Sequence, residues 1–227
     1  MAEVSLSQLA DVTPKVEGRD ARWAEHRIVR RRELIEAALR AVHRHGADVG
    51  MNEIAATAGT TKAVLYRYFS DRAALHDAVA ERVEQNILEN ISLSLAETKR
   101  ADIDADGRNL IRVIIGTYLE MIEIEPEIYR FVSTTSRTRH TGDPHGPSSQ
   151  TSLRHIQELW MSLVPELPIE VAHVWGAAYI GLVRAAADDW LERGASKVTK
   201  MPDMADMVTD LIWSGLSPHW NPTVSGS

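Results

Sequence analysis

The spacing of apolar positions predicts a chain that is almost wholly helical. Apolar residues recur every three or four positions in most segments, which is the period of an α-helix with one buried face. The longest such run lies between Asp71 and about Thr98. Its regular apolar positions are Leu75, Val79, Val83, Ile87, Ile91 and Leu95. The period of two that indicates strands is not found, so we expect an all-α fold.

Breaks in this pattern divide the chain into predicted helices and connecting segments. The predicted helices are at about 22–45, 52–58, 62–69, 71–98, 110–124, 126–138, 149–163, 169–193 and 203–216. Residues 1–20 are polar and aperiodic, and are predicted to form a flexible N-terminal arm. Residues 138–150 are rich in Pro, Gly and Ser, which is typical of a flexible surface loop.

Residues 46–75 predict two short helices joined by a tight turn. Gly59 is expected to end the first helix in the left-handed conformation, and Thr61 is expected to cap the second. Ser70 or Asp71 would cap the helix that follows. Four positions of the second helix have the spacing of a buried face, namely Val64, Leu65, Tyr68 and Phe69. The positions left nearer the outside are Lys62, Ala63, Tyr66 and Arg67.

This stretch resembles the DNA-binding signature of the TetR family of transcriptional regulators. The residues that carry the resemblance are Ile54-Ala55-x-x-Ala58-Gly59-x-Thr61-Lys62-x-x-Leu65-Tyr66-Arg67-Tyr68-Phe69-x-x-Arg72-x-x-Leu75. The similarity extends from about Arg27 to Leu75. Two sites depart from the family pattern: Thr60 replaces a hydrophobic residue, and residues 49–51 lack the usual Ser or Thr.

The resemblance implies an architecture and a set of DNA contacts. It implies a three-helix DNA-binding head at residues 21–75, containing a helix-turn-helix, and a six-helix ligand-binding and dimerisation body at residues 76–227. Lys62, Ala63 and Arg67 would face base edges in the major groove. The residues expected on the phosphate backbone are Asn52, Thr61, Tyr66, Tyr68 and Arg72.

The charge distribution changes how the composition is interpreted. The chain has 227 residues and a net charge of −7, which is unexpected for a DNA-binding protein. However, residues 19–75 hold 11 Lys and Arg against 7 Asp and Glu, whereas residues 76–227 hold 13 against 22. A basic head on an acidic body localises phosphate affinity to the head.

Four arginines precede the buried face of the first helix: Arg27, Arg30, Arg31 and Arg32. They could contact phosphates or place an arm in the minor groove. They could equally form a solvated helix start. The sequence does not decide between these two alternatives.

Two helices of the body, near 169–193 and 203–216, are predicted to form a homodimer interface. The segment 171–191 is dense in Ala and Gly, which let helix backbones approach closely, and in TetR-like proteins the last two long helices of each subunit form a four-helix interface. A dimer would also be needed to bind two half-sites of a palindromic operator. The alternative is that the same faces pack within one chain.

Large aromatic and Met side chains in the body suggest a pocket for a small apolar or aromatic effector. The candidate lining residues are Tyr118, Met121, Phe131, Trp160, Met161, Trp175 and Tyr179. Each could instead belong to an ordinary helical core. The resemblance implies a repressor that such an effector releases from DNA, although an activator would use the same parts.

Other classes of site are not supported. The chain has no Cys, and its His pairs are not placed to bind a metal beside a carboxylate. Catalytic and cofactor-binding motifs are not found, so we expect neither an enzyme nor a cofactor.

Because the N-terminus lacks a signal pattern and no apolar run could span a membrane, we expect a cytoplasmic protein. The alternatives are a DNA-binding regulator controlled by a protein partner, and a helical enzyme or carrier that retains the head.

Overall fold

A computed structural model describes residues 17–100, 107–139 and 168–215, together with the single positions 154, 158 and 161. The α-helices are α1 (Glu17–His45), α2 (Met51–Thr57), α3 (Lys62–Tyr68), α4 (Arg72–Arg100), α5 (Gly107–Ile124), α6 (Pro126–Arg139), α7 (Ile169–Glu192) and α8 (Met201–Ser214). A short 3-10 helix, Ala195–Lys197, lies between the last two. No described residue belongs to a strand, and the all-α prediction is confirmed.

The ends of the short helices follow the local signals in the sequence. Gly59 has a φ of +62° after α2, which confirms the left-handed stop. Asp71 rather than Ser70 caps α4, because its Oδ1 accepts a hydrogen bond of 2.7 Å from the Ala74 amide. Helix α1 begins at Glu17, so residues 17–20 are helical and do not belong to the predicted arm. The apolar pattern did not reveal this start, because the first turns of α1 have no regular apolar face. Residues 1–16, most of the predicted helix at 149–163 and nearly all of the 138–150 loop lie outside the described residues.

The first core joins α1, α2, α3 and the start of α4, which together form the head. Its fully buried residues include Leu34, Val42, Leu65 and Val79. Phe131 of α6 belongs to the same cluster of buried side chains. The head core is therefore completed by a side chain from the body.

The second core lies in the body, where α5 packs against α7 and α8. Its buried residues are Ile111, Ile115, Leu119, Ile122, Ala187, Trp190, Met204, Ala205 and Val208. The indole of Trp190 donates a 2.8 Å hydrogen bond to the carbonyl of Thr199, which satisfies the polar atom of this buried ring. None of the described helices has the length and apolarity needed to cross a membrane.

Helix α6 attaches the body to the head at its N-terminal end. The Glu127 carboxylate accepts a 3.0 Å hydrogen bond from the Ala47 amide, which lies in the turn between α1 and α2. Glu125 lies 2.7 Å from Nδ1 of His43 near the end of α1. Further along α6, the carbonyl of Phe131 lies 2.7 Å from Nε2 of His76 in α4. Because a carbonyl only accepts, Nε2 carries the hydrogen in this bond.

Candidate nucleic-acid interface

Helix α3 is a short helix held by two large apolar anchors. It contains seven residues, too few to be stable alone in water. Leu65 and Phe69, its anchors, are almost completely buried in the head core. Burying side chains of this size contributes about 1.5–3 kcal/mol each. The Thr61 hydroxyl caps the helix by accepting from the Val64 amide at 3.4 Å, as predicted.

The opposite face of α3 is exposed and carries two cations. It consists of Lys62, Ala63, Tyr66 and Arg67, which we call the recognition face. Lys62 Nζ lies 5.8 Å from the centre of the Tyr66 ring, and the Arg67 guanidinium carbon lies 5.7 Å from the centre of the Tyr68 ring. These cation–π contacts stabilise each cation beside an aromatic ring by about 0.5–1 kcal/mol when exposed.

The other predicted phosphate contacts surround this face in different states of burial. Asn52 of α2 and Thr61 are exposed, whereas Tyr68 is half-buried against the head core. Arg72 is exposed, but its Nη2 donates a 3.1 Å hydrogen bond to the Val49 carbonyl. Arg72 therefore connects α4 to the segment before α2, and its predicted phosphate contact would use its remaining donors.

Arg31 of α1 also lies next to this site. The sequence analysis named Arg31 only as one of four arginines and did not single it out. Its guanidinium carbon is 5.1 Å from the centre of the Phe69 ring, at the C-terminal end of α3. The signal was present in the run of arginines, but the run alone does not show which member reaches α3. Arg30 instead pairs with Glu33 at 2.6 Å.

The predicted effector residues fall into separate groups. Phe131 is buried in the head core, with its ring centre 4.7 Å from that of His76. Tyr118 packs against the body core, while the Met121 sulfur accepts a hydrogen bond from Asn90. Trp160 lies outside the described residues.

The remaining predicted effector residues lie nearer the surface. Met161 and Trp175 are each 41% exposed. The ring of Trp175 forms an edge contact with that of Tyr179, with 6.5 Å between centres. The described residues thus bring together Trp175 with Tyr179, but do not gather the whole predicted set around one point.

A polar cluster adjoins Tyr118, and the sequence did not single it out. The Tyr129 hydroxyl donates a 2.8 Å hydrogen bond to Asp188, and the rings of Tyr118 and Tyr129 form an edge contact. Burial raises the pKa of both tyrosines, and nearby negative charge adds to the effect for Tyr129. These hydroxyls remain neutral donors at physiological pH. Burial also raises the pKa of Tyr179.

The last two helices each have a buried and an exposed apolar face. In α7, Ala172 and Gly176 are buried, while a stripe spaced at helical intervals is exposed. This α7 stripe consists of Val174, Ala178, Gly181 and Ala185. In α8, Met204 and Val208 are buried while Met207 and Leu211 are exposed. One face of each helix therefore packs within the chain, as one alternative predicts, and the exposed face is the one on which a dimer interface stays a prediction.

Among the described residues, no group of three or more His, Asp or Glu side chains could hold a metal ion. The arrangement that the structure offers instead is a cationic helix face supported by a rigid apolar core. Such a face can donate hydrogen bonds to guanine and to phosphates.

Comparisons with known proteins agree with this geometry. Residues 34–79 match the family model described as bacterial regulatory proteins, tetR family. Residues 96–223 match the model described as tetracyclin repressor-like, C-terminal domain. The two matches correspond to the head and the body.

Individual relatives give the same result. An HTH-type transcriptional regulator of Mycobacterium tuberculosis is 33% identical over 211 residues, covering 90% of this chain and 85% of that protein. The HTH-type transcriptional activator FasR of Mycolicibacterium smegmatis is 33% identical over 104 residues, covering 45% of each protein.

Solved structures share the fold at low sequence identity. A transcriptional regulator from Rhodococcus sp. RHA1 superposes with a TM-score of 0.60 at 14% identity, covering 83% of this chain and 96% of that one. FadR from Bacillus subtilis, solved in complex with stearoyl-CoA, superposes with a TM-score of 0.57 at 12% identity, covering 81% of this chain and 97% of that one.

Proposed function

The chain belongs to the TetR family of transcriptional regulators, DNA-binding proteins that are not enzymes and that typically dimerise, and on this premise we propose its mode of action. It binds a palindromic operator as a homodimer, acts by default as a repressor, and is released from DNA by a small, mainly apolar effector. Because its target is chromosomal DNA, it acts in the cytoplasm.

The recognition face of α3 is the observation that carries this proposal. Lys62 and Arg67 are exposed on a helix whose opposite side is fixed by Leu65 and Phe69. In the major groove, both cations can donate to guanine O6 and N7, and the Ala63 methyl can contact a thymine methyl. A rigid helix keeps these side chains in register with the base edges.

Phosphate contacts position the helix without reading sequence. Asn52, Thr61 and Tyr66 are exposed and carry side-chain donors that suit this role. The Thr61 hydroxyl oxygen accepts the capping hydrogen bond from the Val64 amide, so its hydroxyl hydrogen can be donated to a phosphate oxygen. Tyr68 and Arg72 would act from the edge of the head, where each also has a structural contact.

We place the dimer interface on the exposed faces of α7 and α8. The α7 stripe is made mainly of small residues, and a Cβ added at Gly181 would meet no described atom within 4 Å outside its own stretch of helix. Met207 and Leu211 continue the apolar surface on α8. Two copies packed through these faces would form a four-helix interface of the kind that small residues permit, with the two heads held at a fixed separation.

The effector would bind in the body and act on the head through α4 and α6. Tyr118, Met121, Trp160, Met161, Trp175 and Tyr179 are proposed to contribute apolar surface to its site. Phe131 would respond to effector binding from the head core, because α6 carries it there. FadR of Bacillus subtilis, which shares this fold, was solved in complex with stearoyl-CoA, and this supports including acyl compounds among the candidate effectors. A shift of α6 or α4 would change the separation of the heads and break simultaneous contact with both half-sites.

DNA binding is tested first. Purified full-length protein is incubated with the DNA immediately upstream of its own coding region, and the protected bases are mapped by footprinting. We expect a protected inverted repeat with half-sites about 10 base pairs apart, or a multiple of that spacing. Protection that is equal on unrelated DNA would reject the operator-binding proposal.

The effector is tested separately by thermal unfolding in the presence of a panel of fatty acids, acyl-CoA thioesters and planar aromatic compounds. A ligand that binds the folded state at 100 times its Kd stabilises it by about 2.7 kcal/mol. Stabilisation without release of DNA would contradict the repressor mechanism and favour an activator. No stabilisation by any compound would favour control by a protein partner.

A further inference from the structure

The N-terminal part of α1 extends outward from the head core. The buried face of α1 begins at Leu34, yet the helix begins at Glu17. At about 1.5 Å per residue, the segment from Trp23 to Arg31 alone is about 12 Å long. Trp23 is 74% exposed, and Arg27 is exposed as well. We call the segment 23–31 the α1 extension.

One face of the α1 extension points to the same side as α3. In a helix of 3.6 residues per turn, Trp23, Arg27 and Arg31 lie on the line that continues through Leu34 and Ala38. Leu34 and Ala38 are buried in the head core against the elements that hold α3. The three residues therefore continue, beyond the core, the helix face that packs on the head.

Arg31 shows where this face meets the recognition helix. Its guanidinium lies over the ring of Phe69, directly after α3, and the neighbouring Tyr68 ring carries the Arg67 guanidinium. Arg31 is therefore placed at the C-terminal end of α3, and Arg27 lies about one helical turn further out on the same face of α1. The aromatic rings hold Arg67 and Arg31 in place before any ligand arrives.

We propose that Arg27, Arg31 and Trp23 form a second DNA-contact element that binds the sugar–phosphate backbone flanking the base pairs read by α3. This inference rests on the DNA-binding function proposed above. Arginine is suited to phosphate oxygens because its guanidinium donates two parallel hydrogen bonds, and the indole N–H of the exposed Trp23 supplies a second kind of donor. An element of about 12 Å spans three to four base-pair rises of duplex, so it lengthens the operator footprint at its outer edges.

The salt dependence of binding measures this element directly. Affinity for the duplex identified by footprinting is measured by fluorescence anisotropy across a series of NaCl concentrations. Each phosphate contact contributes about 0.9 to the slope of log K against log salt. For Arg27→Ala/Arg31→Ala we expect the slope to fall by about 3 to 4 in the dimer, with the preferred base sequence unchanged. The matched control, Arg40→Ala/Arg44→Ala, removes the same charge from the other end of α1 and should leave the slope unchanged.

A single variant guards against loss of folding, because Arg31 contacts the head core. Arg27→Ala lies one turn further out and should lower the slope by about 2 in the dimer, with an unchanged thermal midpoint. Wild-type protein should also bind a duplex with about ten flanking base pairs more tightly than one cut at the edge of the repeat. The Arg27→Ala variant should distinguish the two duplexes less.

The outcomes separate the two proposals. Wild-type protein that binds no DNA with a salt-dependent affinity overturns both of them. Specific wild-type binding with an unchanged slope in both variants overturns the α1 extension alone. A change in oligomeric state of these variants without a change in slope also overturns it, and identifies this part of α1 as a protein-binding surface.

Discussion

The head exposes a cationic helix face, whereas the body exposes apolar ones. On α3 the exposed positions include Lys62 and Arg67, while on α7 they include Val174, which is 63% exposed, and Ala178. Both helices bury their other face in a core of the same chain. The difference therefore lies in the partner that each exposed face suits: an anion for the head and a second apolar surface for the body.

The two regions also differ in how self-sufficient their cores are. The head core is formed by helices that are close in sequence and is completed by Phe131. The body core joins helices far apart in sequence, from Ile111 in α5 to Val208 in α8. The head is thus a small unit whose core depends on one side chain from the body, whereas the body core is built wholly from body helices.

The largest effect is expected from Gly181→Leu in the α7 stripe. A Cβ added at Gly181 meets no described atom within 4 Å outside its own stretch of helix, so the subunit should fold and gain helix propensity. The bulk would prevent close approach of two subunits, and operator affinity should fall by about 10²–10⁴-fold as bivalent binding is lost. Size-exclusion chromatography with light scattering checks the oligomeric state. Gly181→Ala, which adds one methyl group, should remain dimeric; a dimeric Gly181→Leu protein would move the interface elsewhere.

The head should respond most to loss of the α3 anchor. Leu65→Ala removes a fully buried side chain and should destabilise the head by about 2–5 kcal/mol. Urea unfolding followed by circular dichroism measures the change. The matched control is Leu93→Ala, since Leu93 is 62% exposed on α4 and its truncation should cost less than about 0.5 kcal/mol. Equal costs at the two sites would show that α3 is not anchored by this core.

Lys62→Ala tests sequence reading without touching either core. We expect discrimination at one base position of the half-site to relax by about 1–3 kcal/mol, because Lys62 can donate to guanine. Selection from a pool of randomised half-sites measures this. Arg72→Ala should instead weaken binding to all sequences alike. Intact discrimination in Lys62→Ala would remove this residue from the base-reading set.

A smaller effect is expected at the link between the two regions. Glu127→Ala removes the acceptor of the Ala47 amide, and should lower the free energy of unfolding by about 0.5–1.5 kcal/mol. Glu127→Gln keeps an acceptor oxygen and should recover part of the loss. The two variants are compared by urea titration. Identical stability of wild type and Glu127→Ala would indicate that the link is not formed in solution.

The smallest expected effect appears at alkaline pH and is confined to the body. The pKa of Tyr129 is raised on folding, so the unfolded chain releases this proton first, near pH 10. The stability contributed by its neutral hydroxyl is complete below that pH and is lost as pH rises above it. Tyr129→Phe should therefore show a shallower loss of stability between pH 9 and 11, measured by thermal unfolding. Curves of equal steepness for the two proteins would contradict the burial of this hydroxyl.

The head could be predicted closely because its local signals are strong. Gly59, Thr61 and Asp71 each fix a helix boundary through backbone conformation or a side-chain cap, and these depend on nearby residues alone. The recognition face followed from the period of Leu65 and Phe69. The role of Arg31 could not be predicted in the same way, because its contact with α3 joins residues far apart in sequence.

The body was less predictable because helical periodicity shows that a face is apolar without showing what it packs against. Phe131 and Tyr118 are both aromatic residues on apolar helix faces of the body. In the structure, Phe131 completes the head core, whereas Tyr118 packs against the body core. The cluster of Tyr129 with Asp188 joins α6 to α7 and left no local pattern. Likewise, the sequence shows that α7 is apolar, but only its packing against α5 and α8 shows which of its faces is buried and which is exposed.

The hydrogen bond from Ala47 to Glu127 also provides a built-in reporter. This single backbone amide lies in the α1–α2 turn of the head, but its acceptor lies in the body. Its rate of exchange with deuterium depends on how often that bond opens, and so on how firmly the two regions are joined at that moment. One resonance in an amide spectrum therefore reports on the contact between the two regions without any DNA present.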